Sequence, residues 1–195
     1  MHGARAQYLV LAARYDEAID AARRAVELDP SPSTIGALAW ANFHARRYEE
    51  AARRWLQVDG LGRDPVASGL NVITLALARR ADDVRAFCTA ERAGRLAWRC
   101  AQAHALLGNP VPARLLLEQA PANTGMLTLA DTLGTLADAA GVVRTLERAY
   151  DAHDLAALYM NSPMFDAVRH DAAFQRLQRR MHYPAVVDGN AKGAP

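Results

Sequence analysis

Small and apolar residues recur along this chain at the spacing of an amphipathic helix. In the segment 14–30, Ala18, Ala22 and Ala25 follow one another at intervals of four and three residues, which places them on one face of a helix. Charged side chains fill the remaining faces, and Pro30 ends the helix. A face built from alanines predicts that a neighbouring helix packs closely against this one.

The pattern returns four more times, which indicates a repeat. The position of Ala18 recurs at intervals of 33, 33, 29 and 29 residues, and a second column of small or branched residues precedes it by twelve residues in every copy. The first column is Ala18, Ala51, Val84, Ala113 and Val142; the second is Ala6, Ala39, Val72, Ala101 and Ala130. A period of this length is typical of one supersecondary unit that stacks on its neighbours. We therefore predict five helix pairs.

These columns, together with Tyr48 at the start of a second helix and Pro30 at the end of a unit, resemble the tetratricopeptide repeat (TPR). The resemblance implies an all-α fold, a right-handed α-solenoid of about five TPR-like helix pairs with a C-terminal capping helix pair. We expect the repeats to occupy residues 1–154, the capping helices residues 155–184, and a flexible tail residues 185–195.

The segment 155–183 is similar to the closing segment of bacterial TPR proteins in which the repeats follow a winged-helix, nucleotide cyclase or protein kinase domain. The residues that carry this similarity are Pro163, Phe165, Asp166, Arg169, Asp171, Phe174, Arg179, Arg180 and Met181. The similarity implies a cap with an apolar inner face and a solvated outer face, as a terminal repeat requires. The inner face would be Phe165, Val168, Phe174 and Leu177, and the outer face Arg176, Arg179 and Arg180.

The charge balance argues against a nucleic-acid or membrane partner. The chain carries 23 basic and 21 acidic side chains, a formal net charge of +2, so no large field attracts a polyanion. No apolar run approaches the roughly 20 residues that a membrane span needs. Arginine doublets occur without interleaved aromatic residues, which favours a solvated face over a phosphate-binding track. The doublets are at 23–24, 46–47, 53–54, 79–80 and 179–180.

Two cysteines, Cys88 and Cys100, show neither metal-ligand spacing nor the pattern of a disulfide framework. We interpret them as buried thiols that act as small hydrophobic side chains in a reducing compartment. The apolar run 8–13 is too short for a signal-peptide core. These observations predict a cytoplasmic protein.

No arrangement of side chains predicts catalysis, a cofactor or a metal. Three acidic pairs each fall in the first turn of a helix, where the helix dipole favours negative charge, and adjacent residues on a helix point about 100° apart. The pairs are Asp16/Glu17, Glu49/Glu50 and Asp82/Asp83. Asp166 and His170, four residues apart, are interpreted as a surface hydrogen bond. We therefore expect a protein that is not an enzyme.

The concave surface lined by the first helix of each pair is the predicted binding site. Its apolar and aromatic side chains suit a partner helix or an extended peptide. The candidate residues are Trp40, Phe43, His44, Ile73, Leu77, Trp98, Gln102 and Leu106. The alternative interpretation of Trp40 and Trp98 is that they fill gaps between helices.

The predicted function is therefore a noncatalytic protein–protein interaction module, a TPR scaffold that binds a protein or peptide in its groove. One alternative is the sensory or oligomerisation half of a bacterial transcriptional regulator, which leaves a homo-oligomer open. A helical enzyme with an unrecognised site is a third hypothesis.

Overall fold

A computed structural model describes residues 2–61, 65–89 and 96–184. Every regular element in these ranges is helical and none is a strand, which confirms the all-α prediction for the described part of the chain. The α-helices are α1 (His2–Leu11), α2 (Tyr15–Leu28), α3 (Pro32–His44), α4 (Tyr48–Leu61), α5 (Pro65–Leu77), α6 (Ala81–Phe87), α7 (Ala97–Leu106), α8 (Val111–Glu118), α9 (Met126–Thr135), α10 (Ala139–Asp151) and α11 (Ala172–Arg180). Two 3₁₀ segments, Leu155–Tyr159 and Pro163–Val168, lie between α10 and α11.

Helices that follow one another in the chain pack against one another. The pairs α1–α2, α3–α4, α5–α6, α7–α8 and α9–α10 are all in contact, and α1 also contacts α3, α5 contacts α7, and α7 contacts α9. The two predicted columns lie at these contacts. All five members of the Ala18 column are 0% exposed, and no member of the Ala6 column is more than 3% exposed. The small residues therefore allow the close approach of helices that their spacing predicts.

The turn inside each of the five pairs has the same backbone geometry. After α1, Ala13 adopts a left-handed conformation with φ of 57°, and the Arg14 N–H donates to the Leu9 carbonyl at 2.9 Å. This arrangement is a Schellman motif, which satisfies carbonyl groups left free at the end of a helix. The left-handed residues are Ala13, Arg46, Arg79, Gly108 and Ala137, at the same intervals of 33, 33, 29 and 29 residues as the columns. The repeat is thus a repeat of the backbone as well as of the side chains.

A capping box marks the start of helix α3, which begins at Pro32 and has Ser31 as its N-cap. Ser31 and Thr34 form a capping box, in which each side chain accepts from the backbone N–H of the other residue. Proline is favoured in the first turn of a helix, where it lacks only an N–H that would have no partner.

The segment expected to form a capping helix pair contains two 3₁₀ segments and one α-helix instead. Asp154, Ser162 and Asp171 each accept a backbone N–H at the start of one of these elements, so the chain is divided into three short pieces. The predicted inner face, Phe165, Val168, Phe174 and Leu177, is buried, and the predicted outer face, Arg176, Arg179 and Arg180, is exposed. The predicted tail, 185–195, lies outside the described residues.

The two cysteines form a disulfide, so the prediction of free thiols is wrong. Cys88, directly after α6, and Cys100 in α7 have Cα atoms 5.7 Å apart, which is within disulfide reach. Disulfides are typical of oxidising compartments, so the cysteines no longer support a reducing one. The cytoplasmic location stays a prediction. Among the described residues, no helix combines the length and the apolar character that crossing a bilayer requires.

The left-handed turns give a prediction about stability. Gly108 has φ of 95°, and a Cβ added there would contact nothing within 4 Å, so Gly108→Ala adds only the backbone cost of a left-handed alanine, about 1 to 2 kcal/mol. Ala137→Gly removes this cost at the corresponding turn, and we expect a net gain of roughly 0.5 to 1 kcal/mol after the entropy of glycine in the unfolded chain is counted. Urea unfolding measures both changes.

Gly60→Ala is the control for this pair. Gly60 lies within α4, its φ is outside the left-handed range and its Cβ position is also open, so alanine fits there without a conformational cost. Equal effects of alanine at positions 108 and 60 would contradict the assignment of the repeated turn.

Candidate functional site

Half of the predicted groove residues are covered by the protein itself. Phe43, His44, Ile73 and Gln102 are at most 2% exposed, and Trp40, Leu77, Trp98 and Leu106 are partly buried. The four buried side chains have no surface to offer a partner in this conformation. The expectation of an open groove along all eight residues is therefore corrected.

The C-terminal segment belongs to the same interior. Met160, Met164 and Phe165 belong to the same continuous core as Phe43 and Ile73, although more than eighty residues separate the two groups in the chain. The ring of Tyr159, at the end of the first 3₁₀ segment, lies edge-on to the ring of Trp40 with centroids 6.0 Å apart. The segment that was expected to cap only the last pair thus also packs against the second pair.

Gly134 allows the segment to approach α9. A Cβ at this position would overlap the Met164 carbonyl oxygen and would lie 2.9 Å from Cδ1 of Phe165. The backbone of the second 3₁₀ segment therefore rests directly on the backbone of α9. Only glycine leaves room for this contact.

An ion cluster fixes the C-terminal segment to the turn after α3. The Arg46 guanidinium donates to both carboxylate oxygens of Asp166, with Nη2–Oδ1 at 2.6 Å and Nε–Oδ2 at 3.2 Å. Arg46 Nη2 also donates to the Asn161 carbonyl at 3.3 Å. Arg169 donates to the same carboxylate, with Nε–Oδ1 at 3.1 Å, and to the Ser162 carbonyl at 3.2 Å. Two guanidiniums thus share one carboxylate.

This cluster corrects the interpretation of Asp166 and His170 as a surface hydrogen bond. The carboxylate of Asp166 is held by Arg46 and Arg169, and His170 is exposed. Burial acts to lower the pKa of Arg46, but the hydrogen bonds and the charge of Asp166 outweigh it, so the pKa of Arg46 is raised. The sequence missed the contact because Arg46 and Asp166 are 120 residues apart.

His44 lies beneath the C-terminal segment, next to this cluster. Its ring is 4.2 Å from the Trp40 ring, centroid to centroid, and neither ring nitrogen makes a hydrogen bond of good geometry in the described residues. Burial, and then the charge of Arg46, lower the pKa of His44 to about 3, while the backbone of Asn161 opposes this shift. His44 is therefore neutral at pH 7 and contributes to the interior rather than to a binding surface.

Gln102 belongs to a buried polar network between α7 and α9. Its Nε2 donates to Thr132 Oγ1 at 2.8 Å, and its Oε1 accepts from Arg99 Nη1 at 3.0 Å. Arg99 Nη1 also pairs with Asp131 Oδ2 at 3.0 Å. Burial raises the pKa of Asp131, and Arg99 opposes this shift. The polar groups of Gln102 are satisfied within the protein, which explains a polar residue on an otherwise apolar face.

A cavity lies beside Trp40 on the predicted face. It has a volume of about 440 Å³ and lies between α1, α3, α4, α5 and the first 3₁₀ segment. Trp40 is the only predicted groove residue in its wall. The lining residues are Gln7, Leu11, Pro32, Ser33, Gly36, Ala37, Trp40, Trp55, Val58, Leu70 and Tyr159. The prediction missed Trp55 and Tyr159 because it considered only the first helix of each pair.

The three acidic pairs are neutralised by arginines. Glu17 pairs with Arg14, Glu50 with Arg53 and Arg54, and Asp82 with Arg85, within single helices or at their first turn. Asp16 pairs with Arg47 at 2.7 Å, and Glu49 pairs with Arg80 at 3.7 Å. The two acids occupy equivalent positions in the first and second helix pairs, and each contacts an arginine of the following pair. In the described ranges, no group of three or more histidine, cysteine or acidic side chains has an arrangement that would hold a metal ion.

Comparison of the chain with protein-family models, curated proteins and solved structures gives no match. The resemblance to the TPR family and the alternative of a transcriptional regulator therefore stay predictions from the residues.

The buried His44 predicts a pH dependence of stability. Its pKa is about 3 in the folded protein and about 6.5 when unfolded, so the unfolded chain binds the extra proton between these values. The contribution of neutral His44 to the free energy of unfolding has its full value above pH 6.5 and decreases as the pH falls towards 3. At pH 5 we expect a loss of about 2 kcal/mol relative to pH 7 that His44→Gln does not show. Urea titrations at each pH measure it.

The exposed His170 supplies the control, because His170→Gln should leave the pH profile of the wild type unchanged. An identical acid sensitivity of the wild type and His44→Gln would contradict the burial of a neutral imidazole at position 44.

Proposed function

We propose that this chain is a noncatalytic binding module, a right-handed TPR-like α-solenoid that binds a protein or peptide. Two observations support the repeat architecture. The five left-handed turns and both columns of buried small residues share one set of intervals, and the first helices of successive pairs are in contact in α1–α3, α5–α7 and α7–α9. Such contact between neighbouring units is typical of repeat proteins.

The observation that carries the binding proposal is the cavity beside Trp40. Its volume of about 440 Å³ lies within the range of ligand sites, and two indole rings, those of Trp40 and Trp55, contribute to its wall. Leu11, Leu70 and Val58 add apolar surface. A wall of this composition suits an aromatic or large aliphatic side chain that anchors a peptide, because such side chains carry most of the binding energy at protein interfaces.

The proposed site is smaller than the groove that the sequence predicts. Phe43 and Ile73 lie in the buried core, so the proposed binding surface is limited to the cavity wall that α1, α3, α4, α5 and the first 3₁₀ segment contribute. Gln7 and Ser33 are polar residues in the wall and can bond a peptide backbone. The proposal therefore concerns an anchored segment rather than a long helix.

A substitution that fills the cavity tests the proposal. Gly36 lines the cavity, and a Cβ added there would make only an ordinary contact, 3.8 Å from Cζ3 of Trp55, so Gly36→Leu places a side chain in the open space without a clash at its Cβ. A random peptide library displayed on phage is panned against the wild type, and the enriched peptides are titrated by tryptophan fluorescence. We expect aromatic or aliphatic anchors in these peptides and at least a tenfold loss of affinity, about 1.4 kcal/mol, in Gly36→Leu.

Gly60→Leu is the matched control. Gly60 is exposed on α4 and nothing lies within 4 Å of its Cβ position, so the same side chain enters solvent and affinity should not change. The proposal fails when the library yields no peptide that perturbs the tryptophan fluorescence, or when the two variants bind equally.

A further inference from the structure

A cluster of charged and polar side chains joins the start of α2 and the end of α3 to the C-terminal segment. We call it the Arg46–Arg169 cluster; it comprises Tyr15, His44, Arg46, Asp166 and Arg169. Two guanidiniums face a single carboxylate, and His44 is neutral because burial keeps its pKa far below 7. The cluster therefore carries an excess of one positive charge. An uncompensated charge away from water is costly, so a second anion would stabilise the arrangement.

Several donors of the cluster lack a partner. Arg169 is only 8% exposed, and while its Nε and Nη2 donate to Asp166 and Ser162, its buried Nη1 makes no hydrogen bond within the described residues. The buried Tyr15 hydroxyl also makes no hydrogen bond of good geometry there, although Arg46 lies over the Tyr15 ring at 5.9 Å. Buried polar groups in proteins ordinarily have a protein, water or ligand partner.

The neighbouring acidic side chains do not supply the missing charge. Both carboxylate oxygens of Asp166 already accept from Arg46, and one of them also accepts from Arg169. Asp16, at the start of α2, pairs with Arg47, and Glu49, at the start of α4, pairs with Arg80. An anion from outside the protein is therefore the group that would balance this cluster.

We propose that the Arg46–Arg169 cluster binds a small oxyanion of the carboxylate or phosphate type, held by the free Nη1 of Arg169 and the Tyr15 hydroxyl. Guanidinium groups present planar, fixed donors that match the oxygens of carboxylates and phosphates. The side chains of Arg46 and Asp166 are 23% and 39% exposed, which leaves an approach from solvent at that edge. A bound oxyanion would hold α2 and α3 and the C-terminal segment together.

Calorimetric and thermal titrations of the wild-type chain test this site. Sodium phosphate, sodium sulfate and sodium acetate are each titrated against sodium chloride at the same ionic strength. We expect a saturable rise in the midpoint of thermal unfolding and a stoichiometry of one anion per chain. Saturation by phosphate and sulfate identifies a phosphate-type ligand, and saturation by acetate alone identifies a carboxylate; either result supports the proposal. A response no larger than that to chloride overturns it.

Variants locate the binding. Tyr15→Phe removes one proposed donor and keeps the ring, so we expect a three- to tenfold loss of anion affinity. Tyr8→Phe removes the hydroxyl of a tyrosine on α1 that is 68% exposed, and should change nothing. Arg169→Gln should abolish the saturable response, with circular dichroism as the check on folding. An anion that binds Tyr15→Phe and Arg169→Gln as tightly as the wild type occupies another place, which also overturns the proposal.

Discussion

The pairing of Arg46 with Asp166 is the constraint on which the interior of this protein depends. It joins the turn after α3 to the second 3₁₀ segment across 120 residues, with a bidentate geometry that is stronger than that of a single hydrogen bond. The segment that it holds brings Met160, Met164 and Phe165 into the core. The same core contains Phe43 and Ile73, so the pairing joins the second helix pair to a segment that shares its interior.

Residues from distant parts of the sequence position the contact between Arg46 and Asp166. Arg46 occupies the left-handed position of a turn that occurs in every helix pair. The equivalent positions at Ala13, Gly108 and Ala137 carry no long side chain, and the guanidinium of Arg79 donates to the Leu106 carbonyl instead. Gly134 lets the backbone of the segment rest on α9, and Tyr159 packs on Trp40. The repeated backbone thus supplies the position, and the arginine at the second of the five turns supplies the charge that pairs with Asp166. One position of the repeated turn thus makes a contact that the other four do not make. The cavity and the ion cluster both lie where the C-terminal segment meets the first two helix pairs.

The sequence predicted the local and periodic features of the fold well. The Ala18 and Ala6 columns identified the buried faces of five helix pairs, because helix periodicity and small residues at helix contacts are encoded within a few turns. The apolar face of the C-terminal segment, Phe165, Val168, Phe174 and Leu177, was also predicted, because the segment resembles the closing segment of bacterial TPR proteins. Contacts over long distances in the chain were not predicted. Nothing in the sequence pairs Asp166 with Arg46 or Cys100 with Cys88. Trp55 lines the cavity from the second helix of its pair, which the groove prediction did not consider.

A double-mutant cycle on Arg46→Gln and Asp166→Asn tests the central claim most directly. The cycle removes the contribution that Asp166 makes through Arg169, so the remainder is the coupling between the turn after α3 and the C-terminal segment. The account predicts a coupling free energy of about 1 to 2 kcal/mol in urea unfolding, since the pair is bidentate and partly shielded from water. Additive effects, with a coupling below about 0.3 kcal/mol, would contradict the claim that this pairing holds the turn after α3 to the C-terminal segment.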